Sequence, residues 1–459
     1  MTIVIEENTA ELIQVDRNKV DLDIIENDQA RKRILDLVLS DTPVVGVYNG
    51  AYLEYNDLWK LIKSKGGNPY LYEPLDSSHL LSLPTELASV LPTAKHVGLQ
   101  NTKPWKIQYR VSAQKTVSRR TLLLKPMAAI REYTANPVLV DYKACASAKR
   151  CSLCIDSCPE NALVGKPPSV DPVKCTGCGV CAGICPFNAL VMPGWGLRKI
   201  EGELDLIREK YSGPLVMIIV ERPNLPELTG LREMHSPLHY IIEAVDDFEW
   251  VDARTLIYAL SYGVDVILYD RFERLKSDGI LGIANIASSM RELVTLLDES
   301  REPIYTRSGS YVLALDKLGV DRVETYTPVL GIVEVSDECT LCDSCVSNCP
   351  TQALRKEVQE NNLLLLFDHE KCVGCKICEE VCHYNAIRVK WGVDKAIYGK
   401  AIPLVQDEVV RCRMCGKPLG AKSMFKEIEE KMRAKGIPES AINAIYLCDE
   451  CKTKMFWPK

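Results

Sequence analysis

Apolar and polar positions alternate along this chain in blocks that read as two kinds of structure. Between residues 42 and 100, PVVGVY (43–48) is a continuous apolar run of strand length. LEYNDLWKLIKSKGG (53–67) then spaces its apolar residues as a helix and stops at a glycine pair. PYLYE (69–73) and HVGLQ (96–100) read as further strands. Residues 213–300 repeat the habit. GPLVMIIV (213–220) is a buried strand, and PLHYIIEAV (237–245) is a helix candidate. DARTLIYALSYG starts at a capping Asp252 and ends at Gly263, ahead of the strand VDVILYD. ASSMRELVTLLDE (287–299) closes the block as a helix. Strand and helix in alternation build a layered domain around a parallel sheet, so two small α/β domains are expected.

Composition adds limits. The chain has 459 residues, 47% hydrophobic and 26% charged, which excludes wholesale disorder and allows three or four domains at roughly 100–200 residues each. No apolar run approaches the roughly 18 residues of a membrane span; GPLVMIIV and LLLLF (363–367) are strand-sized. MTIVIEENTAELIQVD carries acids where a signal peptide carries basic residues, so a cytoplasmic protein is expected, with a place at the edge of a membrane complex as the variant.

Cysteine decides the chemistry. There are 20, none in residues 1–144 and none in 186–338. The second burst reads Cys339-x2-Cys342-x2-Cys345-x3-Cys349-Pro350, then Cys372-x2-Cys375-x2-Cys378-x3-Cys382-His383. Thiolates at every third position of a short loop wrap three corners of a cubane, and the fourth, set back on a helical turn, caps the neighbouring cluster. The first burst reads Cys145-x5-Cys151-x2-Cys154-x3-Cys158-Pro159, then Cys175-x2-Cys178-x2-Cys181-x3-Cys185-Pro186. Zinc also uses C-x2-C, but in two pairs rather than four compact runs, so iron–sulfur is the reading.

Both bursts resemble bacterial-type ferredoxins that hold two 4Fe–4S clusters. The resemblance implies that Cys145, Cys151, Cys154 and Cys185 hold one cluster and Cys175, Cys178, Cys181 and Cys158 a second. Cys339, Cys342, Cys345 and Cys382 would hold a third, and Cys372, Cys375, Cys378 and Cys349 a fourth. Two positions depart from the family. The gap ASAKR after Cys145 is longer than the family spacing, and His383 stands where proline is usual. Each fourth cysteine is followed by PENAL, PFNAL, PTQAL or HYNAI, whose apolar pair should pack under a cluster as the chain leaves in a short strand. Trp195-Gly196 and Trp391-Gly392, with NPVLV (136–140) and TPVLG (327–331), extend the repeat at an offset of about 195 residues. The module is duplicated.

The third burst is different. Cys412-x2-Cys415-Gly416 and Cys448-x2-Cys451 are two knuckles that would gather four thiolates tetrahedrally. Zinc is the expected ion and a rubredoxin-like single iron the alternative. SMFKEIEEKMRAKG between the knuckles reads as a helix stopped by Gly436. RCRMCGKPLG…YLCDECK resembles the C-terminal metal knuckle of ferredoxin subunits in formate hydrogenlyase and related hydrogenase complexes. In the middle domain, WVDARTLIYALSYGVDVILYD resembles the delta subunit of methyl-viologen-reducing hydrogenase. That family has cysteines for a 2Fe–2S cluster there; this chain has none, so no cluster is expected in that domain.

Other signals change little. Neither α/β domain contains G-x-G-x-x-G or a P-loop, so nucleotide binding has no positive support, while a flavin, which needs no strict motif, is an unsupported possibility at a switch point of either sheet. SRRTLLLK (118–125) resembles an export motif but lies deep in the chain with no apolar segment behind it, so it reads as a basic partner surface. His235 and His239 are spaced as a metal pair, but Pro237 between them spoils the helix and both read as structural. The formal charge is -6, and four clusters and a zinc site at about -2 each take it to about -16, which repels nucleic acid. Lys143, Lys149, Arg150, Lys174, Lys371 and Lys376 flank the ligand runs and would offset the local field.

The expected architecture is α/β plus α+β: two small α/β domains interleaved with two ferredoxin-like modules and a C-terminal zinc-ribbon-like knuckle. The divisions fall at 1–105 (α/β with an N-terminal extension), 106–140 (basic connector), 141–200 (first ferredoxin module), 205–330 (α/β), 333–400 (second module) and 405–459 (knuckle). The expected function is electron transfer through four clusters, in a subunit of an oxidoreductase complex or toward soluble redox proteins, with no substrate site of its own. A self-contained iron–sulfur flavoenzyme and a cluster-carrying scaffold protein are the alternatives.

Overall fold

Continuous apolar runs bury both faces of a strand, and two parallel sheets are built from such runs. The computed structural model describes residues 2–10, 21–102, 109–111, 131–133, 136–139, 141–146, 150–231, 239–270, 282–299 and 309–456. Two units result: Met1–Ser147, Ser152–Asp321 and Thr325–Pro328 form the first, and Ala148–Cys151, Arg322–Glu324 and Val329–Lys459 the second.

In the first unit, β1 (Thr2–Glu6), β2 (Asp21–Ile25), β3 (Val44–Tyr48) and β4 (Tyr72–Asp76) lie in the order β2-β1-β3-β4, all parallel. Helix α1 (Asn27–Leu39) joins β2 to β3, α2 (Ala51–Ser64) joins β3 to β4, and α3 (Thr85–Asn101) follows. After α4 (Leu197–Lys210), a second parallel sheet holds β5 (Leu215–Glu221), β6 (Tyr240–Val245), β7 (Val264–Tyr269) and β8 (Asn285–Ala287). Its order, β6-β5-β7-β8, is the order of the first sheet. Helix α5 (Ala253–Ser261) precedes β7 and α6 (Met290–Glu299) follows β8. Asp252 caps α5 by accepting from the Thr255 amide at 3.0 Å and the Thr255 hydroxyl at 2.8 Å.

Three segments differ from their sequence pattern: in PYLYE the strand begins only at Tyr72, after a 3-10 turn over Pro69–Leu71. The described part of PLHYIIEAV is not a helix: Tyr240–Val245 is the strand β6, buried on both faces, so it has no period to distinguish it from a buried helix. HVGLQ is not a strand: it is the last part of α3, a helix carried past an interior Pro92 that masks its continuity in the sequence. His239 is buried immediately before β6; His235 and SRRTLLLK lie outside the described residues.

Helices α3 and α4 cross closely. A Cβ on Gly98 would meet Glu203 Oε1 at 2.3 Å, and one on Gly202 would meet Asn101 Nδ2 at 2.4 Å. Beside this crossing lies a buried ion network joining the two sheets. Lys95 pairs with Glu243 and with Glu203 (3.2 Å); Lys199 pairs with Glu243, with Glu73 (3.1 Å) and with Glu203 (3.5 Å). Two cations face three carboxylates. Burial pushes both Glu203 and Glu243 upward; Lys199 and Lys95 outweigh it at Glu243 and hold that carboxyl low, while Glu203, next to the charged Glu243, stays raised.

The two cysteine-rich segments share one topology. In the first unit, Val138–Leu139 pairs antiparallel with Leu190–Val191, and Leu163–Val164 pairs with Ser169–Val170. In the second, β9 (Gly331–Val335) pairs with β12 (Ile387–Asp394), and β10 (Leu354–Gln359) pairs with β11 (Asn362–Asp368). The strand entering before the first cysteine thus pairs with the strand leaving after the last. β13 (Ala401–Arg411) adds to β11, and β14 (Pro418–Ala421) adds to β13, followed by α7 (Lys422–Ala434), α8 (Glu439–Ala444) and α9 (Asp449–Phe456). Among the described residues, no helix is long and apolar enough to cross a membrane.

Candidate metal centres

Each cysteine run is bent by residues in the left-handed region. The residue before the second cysteine has positive φ in all four runs: Arg150 (73°), Gly177 (80°), Leu341 (54°) and Gly374 (67°). The residue after it does so in three: Gly179 (81°), Asp343 (79°) and Lys376 (59°). In the departing run that position is Ser152, at φ -130°. Past each fourth cysteine, Asn161, Asn188, Gln352 and Asn385 also have positive φ, between 48° and 58°. Asparagine tolerates this conformation better than most residues, which explains its recurrence in the repeat. The turn returns the amide of each to the carbonyl of its cysteine, at 3.2–3.4 Å.

Cys145 sits in the same kind of turn as Cys175. The Cys145 amide donates to Asp141 O at 3.2 Å, and the Cys175 amide to Asp171 O at 3.0 Å. The two aspartate side chains accept further amides of their turns, Lys143 and Ala144 for one and Val173 for the other. Cys145, Cys154, Cys158, Cys181 and Cys185 share one apolar core with Leu163, Ala189 and Leu190. Cys151 belongs to the short segment that groups with the second unit.

Two cavities are lined by thiols. One, in the first unit, has Cys158, Cys175, Cys178 and Cys181 in its wall; the other, in the second unit, has Cys339, Cys342, Cys345 and Cys382. The rest of each wall is largely apolar, including Leu163 and Val180 in the first and Val335 and Leu365 in the second. Burial, reinforced by neighbouring thiols, holds Cys345 up at about 12, and the neighbours are Cys339, Cys342 and Cys382. Burial likewise holds Cys372 at about 12, beside Cys375 and Cys349, and raises Cys378 further. Several soft donors converging on a dry pocket suit a thiophilic metal centre, whose positive charge would draw off these protons. Gly331 makes room for the arrangement: a Cβ there would meet Cys372 Sγ at 2.5 Å.

Two of the flanking cations are engaged. The Lys376 ammonium lies 4.1 Å from the Trp391 ring centre, and Lys371 pairs with Asp368 at 2.7 Å. Lys356, which the spacing of the runs does not mark, donates to Leu341 O at 2.8 Å beside the third run. Lys143, Arg150 and Lys174 are exposed, and Lys149 lies outside the described residues. Two side chains far along the chain reach the first cysteine-rich segment. Trp250 Nε1 donates to Gly177 O at 2.9 Å, and Arg254 donates to Cys185 O at 2.8 Å. No local spacing signals either, because each is about 70 residues from its acceptor.

The C-terminal cysteines also converge. The sulfurs of Cys412, Cys415, Cys448 and Cys451 all lie within 4.8 Å of one another, with Cys415 and Cys448 at 3.6 Å. A tetrahedral ion at about 2.3 Å from each sulfur needs separations of about 3.8 Å, so the set fits zinc or iron. The first pair sits on the β13–β14 hairpin, where Gly416 takes φ 73°; the second lies at the start of α9 and is not a hairpin knuckle. The Cys448 amide, donating to Cys412 Sγ at 3.3 Å, holds that thiol down at about 6, ready to bind as thiolate.

The family model described as a 4Fe-4S binding domain matches residues 168–191 and 365–388, the second run of each burst. Pyruvate synthase subunit PorD of Methanothermobacter marburgensis is 33% identical over 66 residues, 14% of this chain and 68% of that protein. A sulfite dehydrogenase subunit of Allochromatium vinosum is 36% identical over 72 residues, 14% of this chain and 29% of that protein. Dihydromethanopterin reductase (acceptor) of Methanosarcina mazei is 40% identical over 53 residues, 11% of this chain and 21% of that protein. The chain thus spans less than a third of the last two relatives.

Proposed function

This chain belongs to the 4Fe–4S ferredoxin family as a polyferredoxin-type subunit, and on that premise we propose that it conducts electrons on four 4Fe–4S clusters within an oxidoreductase complex. The clusters supply one-electron chemistry when bound; the protein supplies thiolates, turns and a dry surround. Cys145, Cys151, Cys154 and Cys185 would hold the first cluster, Cys158, Cys175, Cys178 and Cys181 the second. Cys339, Cys342, Cys345 and Cys382 would hold the third, and Cys349, Cys372, Cys375 and Cys378 the fourth. The observation that carries this reading is the pair of cavities, each walled by three thiols of one run and the fourth thiol of the other. Such interlocking is what a two-cluster ferredoxin needs, because each run wraps one cluster and caps the next.

Cys412, Cys415, Cys448 and Cys451 would hold a zinc ion that folds the C-terminal segment rather than taking part in electron transfer. The redox partners would be other subunits or soluble electron carriers, as the names of the matched relatives suggest for those proteins. Anaerobically isolated protein should contain about 16 iron and 16 acid-labile sulfide per chain, with one zinc. Zinc without sulfide would overturn the reading. Flavin released by acid would instead favour a self-contained enzyme.

A further inference from the structure

We propose that Trp250 and Arg254, supplied by the middle α/β layer, are positioning residues for the cluster-binding turns of the first ferredoxin module. They make the potentials of that module depend on the α/β layer, whereas the second module carries its own counterpart, Trp391. This rests on the reading that both modules hold 4Fe–4S clusters.

The comparison between the two modules carries the inference. Gly177 and Gly374 occupy the same place, immediately before the second cysteine of a run, and both carbonyls accept from an indole. In the second module the donor is Trp391 Nε1 at 2.8 Å, from β12 of the same module. In the first it is Trp250 Nε1 at 2.9 Å, from the turn Phe248–Trp250 beyond β6. The first module does have a tryptophan at the repeat position, Trp195. Its indole donates instead to the carbonyl of Trp250, at 2.9 Å, so the resident ring holds the visiting one in place. Both indoles pack tightly on glycine: a Cβ on Gly179 would lie 2.7 Å from Trp250 Cδ1, and one on Gly374 would lie 2.7 Å from Trp391 Cδ1.

Arg254 adds a contact with no equivalent among the described residues of the second module. The carbonyl of Cys185 accepts from the Asn188 amide (3.2 Å) and from the buried Arg254 guanidinium (2.8 Å). The carbonyl of Cys382 accepts from the Asn385 amide at 3.2 Å. The nearest carboxylate to Arg254, Asp252 at 3.9 Å, is committed to capping α5.

In a trans peptide the N–H points opposite to the C=O, so pinning Gly177 O on Trp250 fixes the direction of the Cys178 amide. Amides directed at cluster sulfur, and buried positive charge nearby, stabilise the more negative reduced state and raise the potential. Loss of either residue should therefore lower the potentials of the first module.

The test is a redox titration followed by electron paramagnetic resonance on full-length, anaerobically prepared Trp250→Phe, Arg254→Gln, Arg254→Lys and Trp391→Phe, with iron and sulfide counted on each. Trp250→Phe should lower chiefly the potential of the cluster proposed on Cys158, Cys175, Cys178 and Cys181, Arg254→Gln chiefly that of the cluster proposed with Cys185, and Trp391→Phe should shift a set from the second module. Arg254→Lys, which keeps the charge, should recover most of the Arg254→Gln shift. Unchanged potentials in both Trp250→Phe and Arg254→Gln at wild-type iron content would overturn the proposal, as would one set of signals moving in all variants. Absence of iron and sulfide from the wild type is a separate result, and it would overturn the cluster reading itself.

Discussion

The amide of Ala386 donates to the sulfur of Cys382 at 3.3 Å, and the amide of Ala162 donates to the sulfur of Cys158 at the same distance. Each bond closes over the left-handed residue that precedes the alanine, Asn385 in one case and Asn161 in the other. The Asn-Ala-Leu/Ile signature therefore turns a backbone donor onto a cysteine sulfur.

Gln352 is the one position of the four where the left-handed residue is not asparagine, and its side chain is exposed. Gln352→Asn should stabilise the protein by a few tenths to about 1 kcal/mol, and Gln352→Val should destabilise it by about 1–2 kcal/mol. Chemical denaturation at constant metal content checks both signs. Equal stability of the asparagine and valine variants would mean that the turn relaxes out of the left-handed region.

Lys199 is fully buried and serves Glu73, Glu203 and Glu243 together. Lys199→Met should cost about 3–5 kcal/mol, because it leaves carboxylates buried with Lys95 as their remaining cation. Glu203→Gln removes the surplus carboxylate while keeping its shape, and should be close to neutral. The two variants, compared in one denaturation series, separate charge balance from packing.

His79 is buried between Tyr52, whose hydroxyl lies 3.0 Å from Nδ1, and the carbonyl of Tyr240, 3.2 Å from Nε2. A carbonyl only accepts, so Nε2 carries the proton and Nδ1 accepts from Tyr52. Burial holds the group down at about 4, against about 6.5 in an unfolded chain. Between those values the unfolded state binds the proton first, so stability falls as the pH drops from about 6.5 to 4. Relative to His79→Gln, the wild type should lose up to about 3 kcal/mol more over that window. Parallel pH profiles for the two proteins would remove His79 from the acid response.

Gly331→Ala would drive a methyl group into Cys372 Sγ and to 3.1 Å from Gly374 Cα. Iron and sulfide should fall by about four each, from about 16 to about 12. An unchanged count would show that the loop yields without losing its ligand.

Cys412→Ser should lose the C-terminal metal and loosen residues 412–451, while iron and sulfide in the ferredoxin modules hold steady. Metal analysis together with limited proteolysis distinguishes this outcome from a wrong grouping of cysteines, in which sulfide would fall in parallel.

Local chemistry made much of this molecule legible. Cysteines three and four residues apart, the Asn-Ala-Leu turns, the Asp252 cap and the Gly436 stop all depend on neighbours within a few positions. Their conformations follow from nearby sterics and hydrogen bonds, so the sequence by itself determined the turns of the cysteine runs, their repetition and most helix and strand identities. Tertiary structure decided the rest. YIIEAV became a strand because it buries both faces in a sheet, with Glu243 balanced by Lys95 and Lys199 from α3 and α4. HVGLQ became helix as part of α3, whose Gly98 lets Glu203 approach. The carbonyl of Gly177 had to find a donor, but any well-placed N–H would satisfy it. Only the fold chose Trp250 over Trp195, because hydrogen-bond need is written in the backbone while the identity of a distant partner is set by packing.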